Sequence, residues 1–268
     1  MLKSEIFKYY RRTTEEFESI YAYLRANFKT DYVSELMALR SYFDEPQREL
    51  IKEMELGCCT IADSEDLGLM RKELGLVSEN DTFLLNDRYI IPVEDIEGGL
   101  VALIGYYPDY KKYITTPSPF FSKECMFFNF RQAYELSWKE YNGFVIVVEG
   151  IFDCLSLRAI GLPAMATMGS SVSKTKGELL KLFRKVLGIP DDDKTGHKAL
   201  NRYDARGWQV PSNTTMLKFH GGEFDLPNGE KVHCKDMDNF VSWYNADDVR
   251  ECLLSYYDSN EEIEELYL

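Results

Sequence analysis

The chain has 268 residues, of which 45% are hydrophobic and 28% are charged, a composition typical of a folded globular protein with one large or two modest domains. Its formal net charge of −14 is unusual for a protein that grips nucleic acid, because phosphate contacts require lysine and arginine. The sequence shows no apolar run long enough to span a bilayer, and its first residues lack the apolar core of a signal peptide. The six cysteines show no C-x-x-C spacing, which favours the reduced, buried thiols of a cytoplasmic protein over a disulfide framework.

The first part of the chain is predicted to be helical. Residues 1–44 form this helical segment, and Thr13 and Glu16 have the spacing of a capping box. Apolar side chains recur on one face of the segment, which we interpret as a packing surface. The side chains of this face are Phe17, Ile20, Tyr21, Leu24 and Phe28.

Residues 45–140 are predicted to form a smaller α+β subdomain. A short helix begins at Pro46, because proline suits the first turn of a helix. Two strand-like runs, Arg88 to Val93 and Leu100 to Tyr106, flank the turn signal Glu97-Gly98-Gly99. This arrangement predicts a β-hairpin.

A continuous apolar run, Phe144 to Val148, predicts a strand buried on both faces, of the kind found inside a parallel sheet. The run ends at Glu149 and Gly150, and a helical pattern follows at once. Ligands of open α/β sheets bind beyond the carboxyl ends of the strands, so Glu149 stands where chemistry usually takes place. We therefore predict an α/β domain over residues 141–245, followed over residues 246–268 by a helix and a frayed acidic tail.

A second group of carboxylates follows another strand-like run. Val186 to Pro190 leads directly into Asp191, Asp192 and Asp193. Alternation along an extended chain points Asp191 and Asp193 to one side and Asp192 to the other. Carboxylates that converge at a strand end form an all-oxygen site, which Mg²⁺ or Mn²⁺ prefers. An acidic surface turn is the alternative interpretation.

A third acidic pair, Asp236 and Asp238, follows the strand-like run from Thr215 to Phe219. Between that run and the pair, residues 220–233 carry an insertion whose Pro227-Asn228-Gly229 turn signal predicts part of a hairpin. The sequence assigns no role to this insertion.

Four segments, in this order, resemble the motifs of a toprim domain, in the version found in DnaG-type bacterial and phage primases. These segments are Val147–Asp153, Met168–Ser171, Asp191–Gly196 and Lys235–Val241. The preceding part of the chain is similar to the segment just before toprim in those primases, through Asp87–Val93, Gly98, Gly105, Lys112-Tyr113, Pro117 and Phe121–Lys123. The resemblance extends over roughly residues 43–257. It implies a toprim domain over residues 141–245, with a mainly parallel sheet flanked by helices, preceded by a smaller α+β primase-type subdomain.

The resemblance also implies a function. A DNA primase is a nucleotidyltransferase, a DNA-directed RNA polymerase that makes short RNA primers on single-stranded DNA from ribonucleoside triphosphates during DNA replication. The implied catalytic and metal-binding residues are Glu149, Asp191 and Asp193, and Asp236 and Asp238 complete or recruit a second site for Mg²⁺ or Mn²⁺. The cations expected to contact template or nucleotide phosphates are Arg88, Lys111, Lys112, Lys123 and Lys194.

The chain departs from the family pattern in three ways. Many family members have Gly-Gly-Arg where this chain has Ile104-Gly105-Tyr106-Tyr107, so one expected cation is missing. A zinc ribbon needs four cysteine or histidine ligands at close paired spacings, and no such pattern is present, so we expect no zinc. We also expect no helicase-binding C-terminal domain. These expectations describe a bare catalytic core in the cytoplasm of a bacterial or phage-infected cell, with no membrane contact. Its partners would be a replicative helicase and a separate zinc-bearing or template-recognition protein.

Two other functions are compatible with the same carboxylates. A toprim nuclease uses this kind of metal site for hydrolysis, with water in place of the hydroxyl, but the primase-like segment before the toprim motifs argues against it. A non-catalytic replication scaffold suits the acidic charge, but the retention of every expected carboxylate argues against that function.

Overall fold

The computed structural model describes residues 3–28, 49–50, 52, 56–59, 76–77, 83–107, 112–193, 200, 208–225 and 231–267. The chain divides into two compact units, Met1–Ser122 and Lys123–Leu268. Across the described ranges, no helix is both long enough and apolar enough to cross a membrane. The finer division into four segments that the sequence suggests stays a prediction.

The first unit combines a long helix with an antiparallel sheet. Its described elements are α1 (Lys3–Ala26), β1 (Gly57–Cys59), β2 (Arg88–Glu94), β3 (Leu100–Tyr107) and β4 (Lys112–Thr115). The four strands pair in the order β1-β2-β3-β4. The predicted hairpin is confirmed: Asp95 Oδ1 accepts hydrogen bonds from Glu97 N at 2.9 Å and Gly99 N at 3.0 Å, and Gly98 takes the left-handed turn with φ 88°.

One face of α1 supplies much of the core of this unit. Phe17, Ile20 and Leu24 are buried, in a cluster with Ile90 and Leu103 of the sheet. Tyr21 and Phe28 pack against the same cluster and are partly buried. The packing surface predicted from the apolar spacing is therefore confirmed.

The predicted capping box at Thr13 and Glu16 is wrong. Helix α1 already begins at Lys3, so Thr13 is an interior position and its side chain is buried. Glu16 instead pairs with Arg12 at 2.8 Å on the exposed face of the helix. The helix is described as far as Ala26, and most of the remaining predicted helical segment up to residue 44 lies outside the described residues.

The Phe17→Ala variant should measure the contribution of this core. Phe17 has no solvent exposure, and replacing a buried phenylalanine by alanine costs about 3–5 kcal/mol through lost burial and the cavity left behind. Urea unfolding should show a loss of that size. The exposed Glu18 of the same helix provides the control, and Glu18→Ala should change the free energy of unfolding by less than about 0.5 kcal/mol. Equal effects of the two substitutions would contradict the assignment of Phe17 to the core.

The second unit is an α/β domain around a parallel sheet. Its described elements, in chain order, are α2 (Phe130–Glu140), β5 (Phe144–Val148), α3 (Ile151–Ala159), β6 (Ala164–Ala166), α4 (Lys174–Leu180), β7 (Lys185–Ile189), β8 (Thr214–His220), β9 (Glu223–Asp225), β10 (Lys231–His233), α5 (Met237–Trp243), α6 (Ala246–Ser255) and β11 (Ile263–Tyr267). Five strands pair in parallel in the order β11-β8-β7-β5-β6, whereas β9 and β10 form a separate antiparallel hairpin. The predicted fold class is confirmed, including the strands before each acidic motif.

Strand β5 lies in the interior of this sheet, between β6 and β7. All five of its residues are buried, as expected for a strand covered on both faces. Val145 and Val147 belong to a cluster that includes Phe130 of α2 and Trp208. Since side chains alternate along a strand, the opposite face of β5 is buried independently of this cluster.

The acidic tail differs from its prediction. Instead of fraying, the chain turns through a 3₁₀ segment at Tyr256–Asp258 and forms strand β11, which pairs in parallel with β8. Met216 N donates a 2.9 Å hydrogen bond to Glu262 O at the start of this pairing. The tail is ordered because β8 offers it an unpaired edge, a tertiary contact that local composition does not reveal.

Candidate functional site

The acidic motifs meet at one edge of the parallel sheet. Glu149 follows β5, and Asp191 follows the neighbouring strand β7 after a single proline. The two strands are in register through Val148 and Ile189, so their carboxyl ends lie side by side. Asp191 N donates a hydrogen bond of 3.4 Å to Glu149 Oε1. The structure therefore brings together two of the predicted catalytic residues where an open α/β sheet binds its ligand.

Asp153 is a site residue that the sequence analysis missed. It lies in the first turn of α3, where its Oδ2 accepts a 3.1 Å hydrogen bond from Gly150 N. Its Oδ1 accepts a second hydrogen bond, of 2.9 Å, from Asp238 N. Asp153 is only 6% exposed, so one buried carboxylate joins the Glu149 motif to the last acidic motif. The signal in the sequence was an acidic residue three positions after Gly150, which is also the pattern of an ordinary helix cap.

The last acidic motif forms the start of α5. Asp236 caps this helix by accepting a 3.0 Å hydrogen bond from Asn239 N, and it lies 3.3 Å from the ammonium group of Lys235. Asp238 is 4% exposed, and Ser156 of α3 donates to its Oδ1 at 2.5 Å. Both carboxylates already hold local partners, and their predicted part in a second ion site stays a prediction.

Crowding and burial raise the pKa values of these carboxyl groups. The pKa of Glu149 rises from 4.5 to about 8, through burial first and then through repulsion by Asp191. The pKa of Asp191 rises from 3.8 to about 7, through burial and repulsion by Asp236, which Lys235 partly offsets. Burial and Asp236 also raise the pKa of Asp153 well above its usual range. Among the described residues, Lys235 is the cation that lowers the pKa values of Glu149 and Asp191, and it does not restore their ordinary acidity.

The donor set fits a hard divalent cation in chemistry and in charge. All the crowded side chains present carboxylate oxygens, the ligands that Mg²⁺ and Mn²⁺ prefer. In the described part of the chain, no three carboxylate, histidine or cysteine side chains already converge as a metal site. Asp193 lies near enough to raise the pKa of both Glu149 and Asp191, and the binding of an ion by these three residues stays a prediction.

The loop after β6 supports the backbone of Glu149. Thr167 N donates to Val148 O at 2.9 Å, and Met168 N donates to Glu149 O at 3.1 Å. Lys176 of α4 is buried, and its ammonium donates to Thr167 O at 2.5 Å; burial lowers the pKa of Lys176 to about 8. Ser173 caps α4 by accepting a hydrogen bond from Lys176 N.

The predicted phosphate-contacting cations are placed only in part. Arg88 lies at the start of β2, where its Nε donates to Leu84 O at 3.1 Å and its guanidinium stacks on Tyr107 at 5.5 Å from the ring centroid. Lys112 in the first unit and Lys123 in the second are exposed. Lys111 and Lys194 lie outside the described residues. Nucleic-acid contacts of all five cations stay predictions.

The Gly150→Ala variant should measure how much the close contact between Gly150 and the Asp153 carboxylate contributes to stability. A Cβ at Gly150 would overlap Asp153 Oδ2, so the carboxylate would have to leave its position between Gly150 N and Asp238 N. Loss of a buried hydrogen-bonded carboxylate contact costs about 1–3 kcal/mol, and we expect a loss of this size in thermal or urea unfolding. The control is Gly169→Ala, because a Cβ there meets nothing within 4 Å. Equal stabilities for the two variants would contradict the role of Gly150.

Comparisons with known proteins agree with this architecture. Residues 146–226 match a family model described as Toprim-like. The chain is 30% identical over 178 residues to a DNA primase of Synechococcus elongatus, covering 62% of this chain and 24% of that protein. It is 34% identical over 117 residues to a DNA primase of Thermotoga maritima, covering 42% of this chain and 20% of that protein. The chain thus spans about a quarter or less of the length of these curated relatives.

Solved structures show the same fold. The zinc-binding and RNA polymerase domains of Aquifex aeolicus primase superpose with a TM-score of 0.61 and 24% identity, covering 81% of this chain and 54% of that one. A DnaG primase catalytic domain bound to single-stranded DNA superposes with a TM-score of 0.65 and 18% identity, covering 92% of this chain and 80% of that one. At these identities the likeness concerns the fold, and the site must be argued from its own residues.

Proposed function

We propose that this chain, which contains a DnaG-type primase toprim core, is the catalytic part of a DNA primase that makes short RNA primers on single-stranded DNA. The observation that carries the proposal is the meeting of Glu149 and Asp191 at the carboxyl edge of β5 and β7, with Asp193 beside them. The similarity to DNA primases extends over 62% of the chain, beyond the toprim motifs. That extension favours a primase over a toprim nuclease.

The proposed reaction transfers a nucleotidyl group. The 3′-oxygen of the growing primer forms a bond to the α-phosphorus of a ribonucleoside triphosphate, the bond from that phosphorus to the bridging oxygen breaks, and pyrophosphate leaves. A divalent cation bound here supplies charge neutralisation and lowers the pKa of the attacking hydroxyl. Asp191 and Asp193 are proposed to hold the ion, and Asp236 and Asp238 to complete or recruit a second ion site. Glu149 would share in holding the ion or accept the hydroxyl proton.

We propose that lysine and arginine side chains bind the phosphates of template and nucleotides. Arg88, Lys111, Lys112, Lys123 and Lys194 would contact phosphates, and the exposed ring of Tyr113, 41% accessible, would stack on a base. Since the net charge is −14, these few cations work against an unfavourable overall field. This shortage of cations also suits a core that acts with a replicative helicase and a separate template-recognition protein.

The test is ribonucleotide incorporation on end-labelled single-stranded DNA with Mg²⁺ or Mn²⁺. A primase gives short RNA products and releases one pyrophosphate for each phosphodiester bond formed. Shortened template without new RNA would establish the nuclease alternative instead. Absence of both products, with a replicative helicase and a zinc-bearing template-recognition protein added, would contradict catalysis and favour a scaffold.

A further inference from the structure

We propose that the β9–β10 hairpin is a clamp that positions the metal-binding loop, and that Asp192 is the positioning residue through which it acts. The inference rests on the proposed function, because it names what orients the carboxylates of that site. It gives a role to three features that the primase reaction leaves unused: the inserted hairpin, the middle aspartate of the Asp191–Asp193 loop, and His233.

Asp192 is bound to the hairpin through its side chain and to the segment that follows β10 through its backbone. Its carboxylate Oδ2 accepts a 3.0 Å hydrogen bond from Gly221 N, just before β9. The same oxygen lies 3.2 Å from Nε2 of His233, the last residue of β10, which donates to it. The backbone N of Asp192 donates a 2.7 Å hydrogen bond to Lys235 O. With 13% of its side chain exposed, Asp192 is held in place rather than extended into solvent.

The base of the hairpin is closed tightly enough to serve as a fixed support. Cys234 N donates to Gly222 O at 2.9 Å, and Cys234 is fully buried. A Cβ at Gly221 would overlap the carbonyl group of Cys234. Only glycine therefore allows the chain entering the hairpin to approach the chain leaving it this closely.

The clamp determines which way the loop faces. Asp193 N donates to Asp191 O at 2.9 Å, which makes the loop a tight turn. With Asp192 directed to the hairpin, the Asp191 amide contacts Glu149, and the Asp193 charge acts on Glu149 and Asp191. Residues that orient ligands in this way are worth about 10–100-fold in metal affinity. Release of Asp192 would free the turn to rotate and disperse the carboxylates.

The test is a titration of the metal-free protein with Mn²⁺ alone, in which isothermal calorimetry measures the Kd. His233→Leu removes the ring donor at a side chain that is 49% exposed, so folding should be unaffected, and Asp192→Ala removes the acceptor. His233→Gln restores an N–H donor and serves as the conservative rescue. The matched control is Lys231→Ala on the same hairpin, where the lysine pairs only loosely, at 3.5 Å, with Glu223.

We expect the Kd for Mn²⁺ to rise about 10-fold in His233→Leu and at least as much in Asp192→Ala, with His233→Gln and Lys231→Ala within about twofold of wild type. Hydrogen exchange should show faster exchange of the Asp192 and Gly221 amides in the two weakened variants. Wild-type affinity in both of those variants, or equal weakening by Lys231→Ala, would overturn the clamp.

Failure of the clamp and failure of the proposed function give different results, because the titration contains neither template nor nucleotide. Variants that weaken Mn²⁺ binding in a protein that makes no primers support the clamp and contradict primase activity. Primer synthesis together with unchanged Mn²⁺ affinity in the variants contradicts the clamp alone. A wild-type protein that binds no Mn²⁺ contradicts both.

Discussion

The Asp191→Ala variant is expected to lose about 100-fold or more of primer synthesis, because an ion that neutralises phosphate charge is worth several kcal/mol to the transition state. Glu149→Gln should cause a loss of similar size while preserving side-chain volume. In both variants the loss should lie in kcat, since the proposed reacting groups are affected and the cations proposed to contact the template are not. The measurement is the initial rate of RNA synthesis on single-stranded DNA at saturating nucleotide.

Stability distinguishes a lost catalytic group from a misfolded protein. Asp191 raises the pKa of both Glu149 and Asp153 by repulsion, so its removal should leave the metal-free protein as stable as wild type or more stable near pH 8. The control is Glu135→Gln on α2, at a carboxylate that is 62% exposed and pairs with Arg131 at 2.9 Å. This control should retain full activity. Full activity in Asp191→Ala would remove Asp191 from the catalytic set.

The metal-free protein is expected to become more stable as the pH falls from about 8 toward about 5. The folded-state pKa values of Glu149, about 8, and Asp191, about 7, lie above their usual values of 4.5 and 3.8. Between these limits the folded state binds more protons than the unfolded state, so stability decreases as the pH rises through the folded-state values. Because the two groups repel each other, their effects do not add, and we expect a total change on the order of 5 kcal/mol.

Urea unfolding in the presence of a chelator measures this dependence. Wild type should be more stable at pH about 5.5 than at pH about 8.5, and a Glu149→Gln, Asp191→Asn double variant should show a much flatter profile. Mg²⁺ or Mn²⁺ should raise Tm most at the higher pH, where the carboxylates are ionised and free to bind. A wild-type profile as flat as that of the double variant would show that these two groups are not buried together.

Much of the second unit was predictable because its signals are strong and local. The β-branched run before Glu149 specifies a buried strand, and once two such strands are parallel neighbours their terminal carboxylates must meet. Alternation along an extended chain predicted that Asp192 points away from Asp191 and Asp193. The structure shows the Asp192 carboxylate bonded to Gly221 N, but the loop that directs it there is a tight turn rather than an extended chain. The hairpin around Gly98 was predicted equally directly from the sequence, since its turn residues permit few other conformations.

The remaining features depend on contacts between segments distant in the sequence. Asp153 has the local pattern of a helix cap, and only the hydrogen bond from Asp238 N shows that it joins two motifs. Thr13 has the local pattern of a helix start, but the helix continues through it because Phe17 and Leu24 pack on the sheet. In both cases the local sequence is compatible with two structural roles, and tertiary packing determines which one the residue adopts.

Strand β11 also has a consequence for how copies of this chain behave toward one another. Among the described strands it forms one outer edge of the parallel sheet, and a sheet edge without a partner is a template for strand pairing between molecules. Glu264 and Glu265 lie within this strand and Glu262 directly precedes it, so two such edges would meet with like charges opposed. The acidic side chains along β11 would therefore oppose edge-to-edge pairing of two copies of this chain.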